Sequence, residues 1–204
     1  AVRPNAALRA AGLLGVGADG KVELARTRAL YFLPGAGFVL LNRQARPGGI
    51  VAPAEEAGVA AAVRKALTSL RDPRTGERLV LDVLDARRGP RPFGIGGPNG
   101  GDLYLSMAPG TDVDPALEGP PVVEVPPAGA HILDPSRPEM QATFTLAGPG
   151  VKAGADLGTI RHVDVAPTLC ELLGLDPPAQ AVGHVLAGAL AAAAAPGAAA
   201  AAPR

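Results

Sequence analysis

Cysteine is almost absent: Cys170 is the only one in 204 residues. One thiol excludes an intrachain disulfide and any cysteine-based zinc knuckle, and it leaves the redox compartment open. Tryptophan is missing and aromatics are only 3% of the chain, although 48% of residues are hydrophobic. Much of that fraction is alanine, so the density of a core must come from Leu and Val. No net charge is left over, with 19 basic and 19 acidic residues. That balance gives no bulk attraction to nucleic acid or to an anionic membrane surface. No apolar run is long enough to cross a bilayer, and the opening carries no secretory pattern. Ala1 rather than Met opens the sequence, which fits a processed or cut polypeptide.

What is present reads as alternating strands and helices, the pattern of an α/β chain. Asn5 stands where a helix N-cap would, ahead of a short helix through Leu8 to Ala11 that Gly12 stops. Gly37 to Asn42 is short and apolar between turn residues, as a buried strand would be. Pro53, Glu55 and Glu56 suit a helix start, and Val59, Val63, Ala66, Leu67 and Leu70 recur on one helical face. Asp72-Pro73 should stop that helix and Arg74-Thr75-Gly76 should turn the chain. Further strands are predicted over Leu79–Leu84, Asp102–Met107 and Gln141–Ala147, and a short extended segment over Pro120–Pro127.

Asp164 is predicted to cap a last helix that has Pro167 in its first turn, an apolar face of Leu169, Leu172 and Leu173, and Gly174 as its stop. From Ala189 the chain is nearly all alanine and is expected to be disordered or peripheral. The Gly-rich stretch 89–101 does not fit a dinucleotide loop: Asn99 holds the third glycine position and no helix follows.

Few residues offer chemistry. His131, His162 and His184 have no second His or Cys at metal-ligand spacing. His131 lies on a predicted loop between extended segments, where α/β enzymes place ligands, and Asp134 and Glu139 stand near it. The plain alternative is a polar loop residue. Ser136 and Thr168 have no local base, and no Gly-x-Ser-x-Gly elbow occurs. Cys170 falls on the apolar face of the last helix, which suits an inert buried thiol.

Taken in order, Gly129-Ala130-His131, Pro138-Glu139-Met140, Gly148-Pro149-Gly150, the run His162 to Leu169, Leu172-Leu173-Gly174 and Gly183 form a longer pattern. It resembles the C-terminal signature of the type I phosphodiesterase/nucleotide pyrophosphatase branch of the alkaline phosphatase superfamily. Asp164 to Thr168 with the Leu-Leu-Gly ending is its most specific part. The helix at Asn5, the strand ending in Asn42, and Arg46-Pro47 with Gly49 resemble the region after that family's Asp-His-Gly metal motif.

The resemblance covers residues 2–186. It implies the C-terminal part of an α/β/α sandwich with a mixed sheet and an accessory lobe at about residues 20–120, followed by an Ala-rich tail at 187–204. It also implies hydrolysis of phosphate mono- or diesters by two zinc ions and a Ser or Thr nucleophile. Only His131 matches a family metal ligand, the last zinc-binding histidine, and Ile132 follows it where the family has glycine. The nucleophile and the other ligands match nothing here. The chain alone is therefore expected to be inactive, and its partners would be a phosphate ester and an N-terminal half. The alternatives are a degenerate, non-catalytic binding module and a sulfatase or phosphomutase relative.

Overall fold

The computed structural model describes residues 1–32, 37–86, 100–126 and 138–191. The described chain is mixed α/β and divides into two units, 1–141 and 142–204.

The first unit begins with α1 (Pro4–Ala10), whose Pro4 presets the helical φ where no N–H donor is needed. Gly12 ends it at φ 71°, and Leu13 N–H reaches back to the Leu8 carbonyl. Asn5 is not its cap. Arg3 holds the cap position without a side-chain bond, and Asn5 sits inside the first turn, 3% exposed. The Asn5 amide is drawn instead to β1 (Ala29–Phe32): it donates to the Tyr31 and Pro115 carbonyls, each at 3.0 Å, and accepts from Tyr31 N–H at 2.8 Å. β1 is an edge strand, so Asn5 satisfies backbone groups that would otherwise be left open.

β1 pairs with β2 (Phe38–Leu41), and β3 (Val80–Asp85) pairs with β4 (Leu103–Met107). The sheet order is β1-β2-β4-β3 and every pairing is antiparallel. Between β2 and β3 lies α2 (Glu56–Thr68), entered through a 3₁₀ turn at Pro53–Glu55. Glu55 accepts from Ala52 N–H and from Arg28, and these contacts hold its carboxyl below the usual range, the Ala52 bond first. Val59, Val63 and Leu67 are buried at helical spacing. The helix stops at Thr68, four residues short of Asp72. Arg71 donates to the Thr68 and Leu70 carbonyls there. Asp72 then accepts from Arg74 and Thr75 N–H, and Gly76 turns the chain at φ 76°.

The helices pack on the sheet, α1 on β1 and α2 on β3. The shared core joins Leu8, Leu41, Val63, Leu67, Val80, Val83 and Leu103. Val122 only bridges Val2, so the Pro120–Pro127 segment is one bridge and not a strand among the described residues. Arg3 bonds Asp114 at 2.6 Å and, with Ala116 N–H, keeps that carboxyl below its ordinary value.

In the second unit a 3₁₀ turn at His162–Asp164 leads into α3 (Val165–Leu173), which Gly174 closes in the left-handed region at φ 65°. Its buried residues are Pro167 and Thr168, whereas Leu169 and Leu173 are exposed. Of the expected apolar face, Leu172 is half-buried beside Gly150, while Leu169 and Leu173 are left uncovered. The strand expected over Gln141–Ala147 is not found: the segment joins no ladder among the described residues. The start of the alanine tail is held: Lys152 N–H bonds the Ala189 carbonyl and Ala191 N–H bonds that of Gly150, each at 2.8 Å. Residues 192–204 and the greater part of the 89–101 stretch lie outside the described residues. No helix among those described is long and apolar enough to cross a membrane.

Candidate functional site

The strongest sequence motif folds into a polar knot at the start of α3. Asp164 is 8% exposed and precedes the helix with αR dihedrals, so it stands at the cap position without capping. Its Oδ1 accepts from His184 N–H at 2.9 Å. One turn on, the fully buried Thr168 donates to the Asp164 carbonyl at 2.6 Å and accepts from Leu186 N–H at 2.9 Å. Two side chains thus satisfy two backbone donors of a returning segment. Gly183 completes the arrangement, since a Cβ there would collide with the Val163 carbonyl oxygen and Asp164 N. This geometry gives Asp164, Thr168 and Gly183 one shared role: they stitch 183–186 to the helix start. It gives neither Asp164 nor Thr168 a catalytic partner among the described residues.

His131, with Asp134 and Ser136, lies outside the described residues, and so does the side chain of Glu139. His162 and His184 are exposed, Cys170 is half-buried as a free thiol, and no group of three His, Cys, Asp or Glu side chains converges to hold a metal among the described residues.

A second polar centre escaped the sequence reading. Asp102 is 1% exposed at the head of β4. Arg43 bonds its Oδ1 and Arg46 its Oδ2, both at 2.8 Å, and Leu41 N–H bonds Oδ2 at 2.7 Å. Arg46 also donates to the Leu41 carbonyl. The carboxylate locks the loop after β2 onto the neighbouring strand. Its only sequence signal was a lone acid between a Gly-rich stretch and an apolar strand, with Arg46 already in the family-like stretch.

No family model, no curated protein and no solved structure matches this chain.

Proposed function

We propose that this chain is the C-terminal part of a metal-dependent phosphohydrolase that cleaves phosphate esters, and that it is inactive by itself. In this reading it contributes to an α/β/α sandwich of the alkaline-phosphatase type, with the antiparallel four-stranded sheet as the accessory lobe. The carrying observation is the run Asp164 to Thr168 with Leu172-Leu173-Gly174 and Gly183, whose order and spacing resemble the type I phosphodiesterase signature. The knot supplies a physical reason for that spacing, because Asp164 and Thr168 lie one turn apart and bond residues 184 and 186.

Zinc is the metal this reading calls for, and His131 is its one candidate ligand here. A catalytic zinc needs about three protein ligands, so this chain's residues do not make a site by themselves. Catalysis would need a nucleophile and ligands from an N-terminal half. Ile132 beside His131 favours one competing reading, a binding module that has lost the chemistry.

The test compares the native polypeptide with the 204-residue chain. Intact mass, zinc content by mass spectrometry and hydrolysis of bis(p-nitrophenyl) phosphate are measured on both. The expected result is a native mass well above 20.3 kDa, with bound zinc and turnover in the native form only. A native mass of 20.3 kDa, or zinc-dependent turnover by this chain alone, would overturn the proposal.

A further inference from the structure

The sequence holds a single Asp-Gly pair, Asp19-Gly20, and the fold sets it at the tip of the loop that the Val16–Val22 bridge closes. Gly20 N–H donates to the Gly17 carbonyl at 3.0 Å, Gly17 N–H donates to that of Lys21 at 2.8 Å, and Gly20 is left-handed at φ 75°. These are the marks of a tight hairpin loop with glycine at its left-handed position. Lys21 N–H donates to Asp19 Oδ1 at 3.1 Å, which folds the carboxyl back along the peptide joining Asp19 to Gly20. The Asp19 side chain is 64% exposed, and a Cβ on Gly20 would meet nothing within 4 Å. Every other aspartate of the chain precedes proline, which has no N–H, or Ala, Val or Leu, whose side chains crowd the following nitrogen.

We propose that Asp19 is a modification site, at which the chain isomerises to isoaspartate without an enzyme. The Gly20 nitrogen attacks Asp19 Cγ and gives up its proton. A C–N bond forms, a C–O bond of the protonated carboxyl breaks, and one water leaves a five-membered succinimide. One water then opens the ring. Opening at Cγ restores aspartate, whereas opening at the Asp19 main-chain carbonyl carbon leaves the chain running through Cβ. One water departs and one enters, so the step needs no oxidant or other reactant. Glycine permits the attack because no Cβ shields its nitrogen, and the bond to Lys21 N–H keeps the carboxyl beside it. The Gly20 bond to the Gly17 carbonyl must open first, and an exposed hairpin tip opens at low cost. The product lengthens the main chain inside the loop, so the Gly17–Lys21 bond is lost. Val16 and Val22, packed partly buried against the core, are loosened with it. This inference is independent of the hydrolase reading.

The test is incubation of the full chain for several weeks at body temperature and neutral pH in water labelled with oxygen-18. Tryptic peptides are then fragmented by electron transfer, which separates isoaspartate from aspartate. The peptide Ala10–Lys21 should gain both label and isoaspartate, about tenfold or more above any other aspartate, because small displacements of an attacking atom cost that much. Deamidation at Asn99-Gly100 changes the mass of a different peptide and is not confused with it. In the modified fraction, hydrogen exchange at the Gly17 amide should be faster. Asp19→Asn keeps the shape of the turn and should close the same ring with loss of ammonia. An Asp19 peptide without label or isoaspartate overturns the proposal, and so does an inert Asp19→Asn chain. Equal accumulation at the other aspartates, or isoaspartate formed only when urea unfolds the chain, overturns it as well.

Discussion

Replacing Asp102 tests whether a buried carboxylate anchors the loop after β2. In Asp102→Ala, the Arg43 and Arg46 guanidiniums and Leu41 N–H lose their shared acceptor at once. Removing one partner of a buried pair costs about 3–5 kcal/mol. Here the arginine side chains keep 25% and 29% of their surface exposed, so water recovers part of the loss. The expected cost is therefore at the low end, about 3 kcal/mol, against a total stability of roughly 5–15 kcal/mol. Asp102→Asn keeps an acceptor for Leu41 N–H but loses the charge, and should cost about 1–2 kcal/mol. Arg46→Met should cost more than Arg43→Met, since Arg46 also bonds the Leu41 carbonyl.

The assay is urea unfolding followed by circular dichroism, because the chain has no tryptophan. The midpoint should fall in the order wild type, Asn, Ala, with the slope unchanged. The triple change Asp102→Leu, Arg43→Met, Arg46→Met separates anchoring from mere presence of charge, since apolar replacement of a whole buried cluster is often neutral. If Asp102→Ala shifts stability by less than about 1 kcal/mol, the carboxylate is not an anchor and the reasoning fails.

Three further outcomes follow from the same structure. Asn5→Ala strips three hydrogen bonds from α1 and the buried Tyr31 backbone, and should cost about 2–3 kcal/mol in the same unfolding assay. The Tyr31 hydroxyl is pushed up to about 12, by burial first and by the Asp112 charge second. A raised acid binds its proton more tightly when folded, so stability should hold below pH 10 and fall by up to about 2.7 kcal/mol as pH rises toward 12. Near-ultraviolet phenolate absorbance should therefore show Tyr31 ionising only as the chain unfolds; a Tyr31 phenolate forming near pH 10 in the folded chain would refute it. Thr168→Val and Gly183→Ala should each release residues 183–186, seen as faster exchange of the His184 and Leu186 amides. The urea midpoint of the first unit should stay within about 0.5 kcal/mol of wild type.

Local signals were readable and distant pairings were not. The i, i+4, i+8 spacing of Val59, Val63 and Leu67 marked α2 because helical burial is decided within the segment itself. Gly12, Gly76 and Gly174 marked turns because a positive φ favours glycine wherever it occurs. Asn5 misled because an Asn before an apolar run suits a cap, whereas its partners lie 26 and 110 residues away. Asp102 binds residues 61 and 56 positions back, a contact no local pattern encodes. Gln141–Ala147 has strand composition but joins no ladder among the described residues, and a strand exists only through its neighbour. The candidate site was legible only as a motif. The knot at Asp164 follows from that motif, but His131 rests on the resemblance alone.

The two units are stabilised by different physics, and this bears on what the chain is. Every member of the buried apolar cluster among the described residues belongs to the first unit. In the second, the buried residues among those described are Asp164, Pro167, Thr168 and Ala189, so polar stitching does the work that apolar burial does elsewhere. Each such hydrogen bond contributes about 0.5–1.5 kcal/mol net, whereas ordering each residue costs about 1–2 kcal/mol. A segment held mainly by hydrogen bonds around one nine-residue helix is therefore near the margin of folding. Hydrogen exchange should show the amides of α3 opening well below the free energy that protects α2 and β4. Equal protection would mean that the exposed Leu169 and Leu173 are covered in solution, and the covering surface would then be the next thing to find.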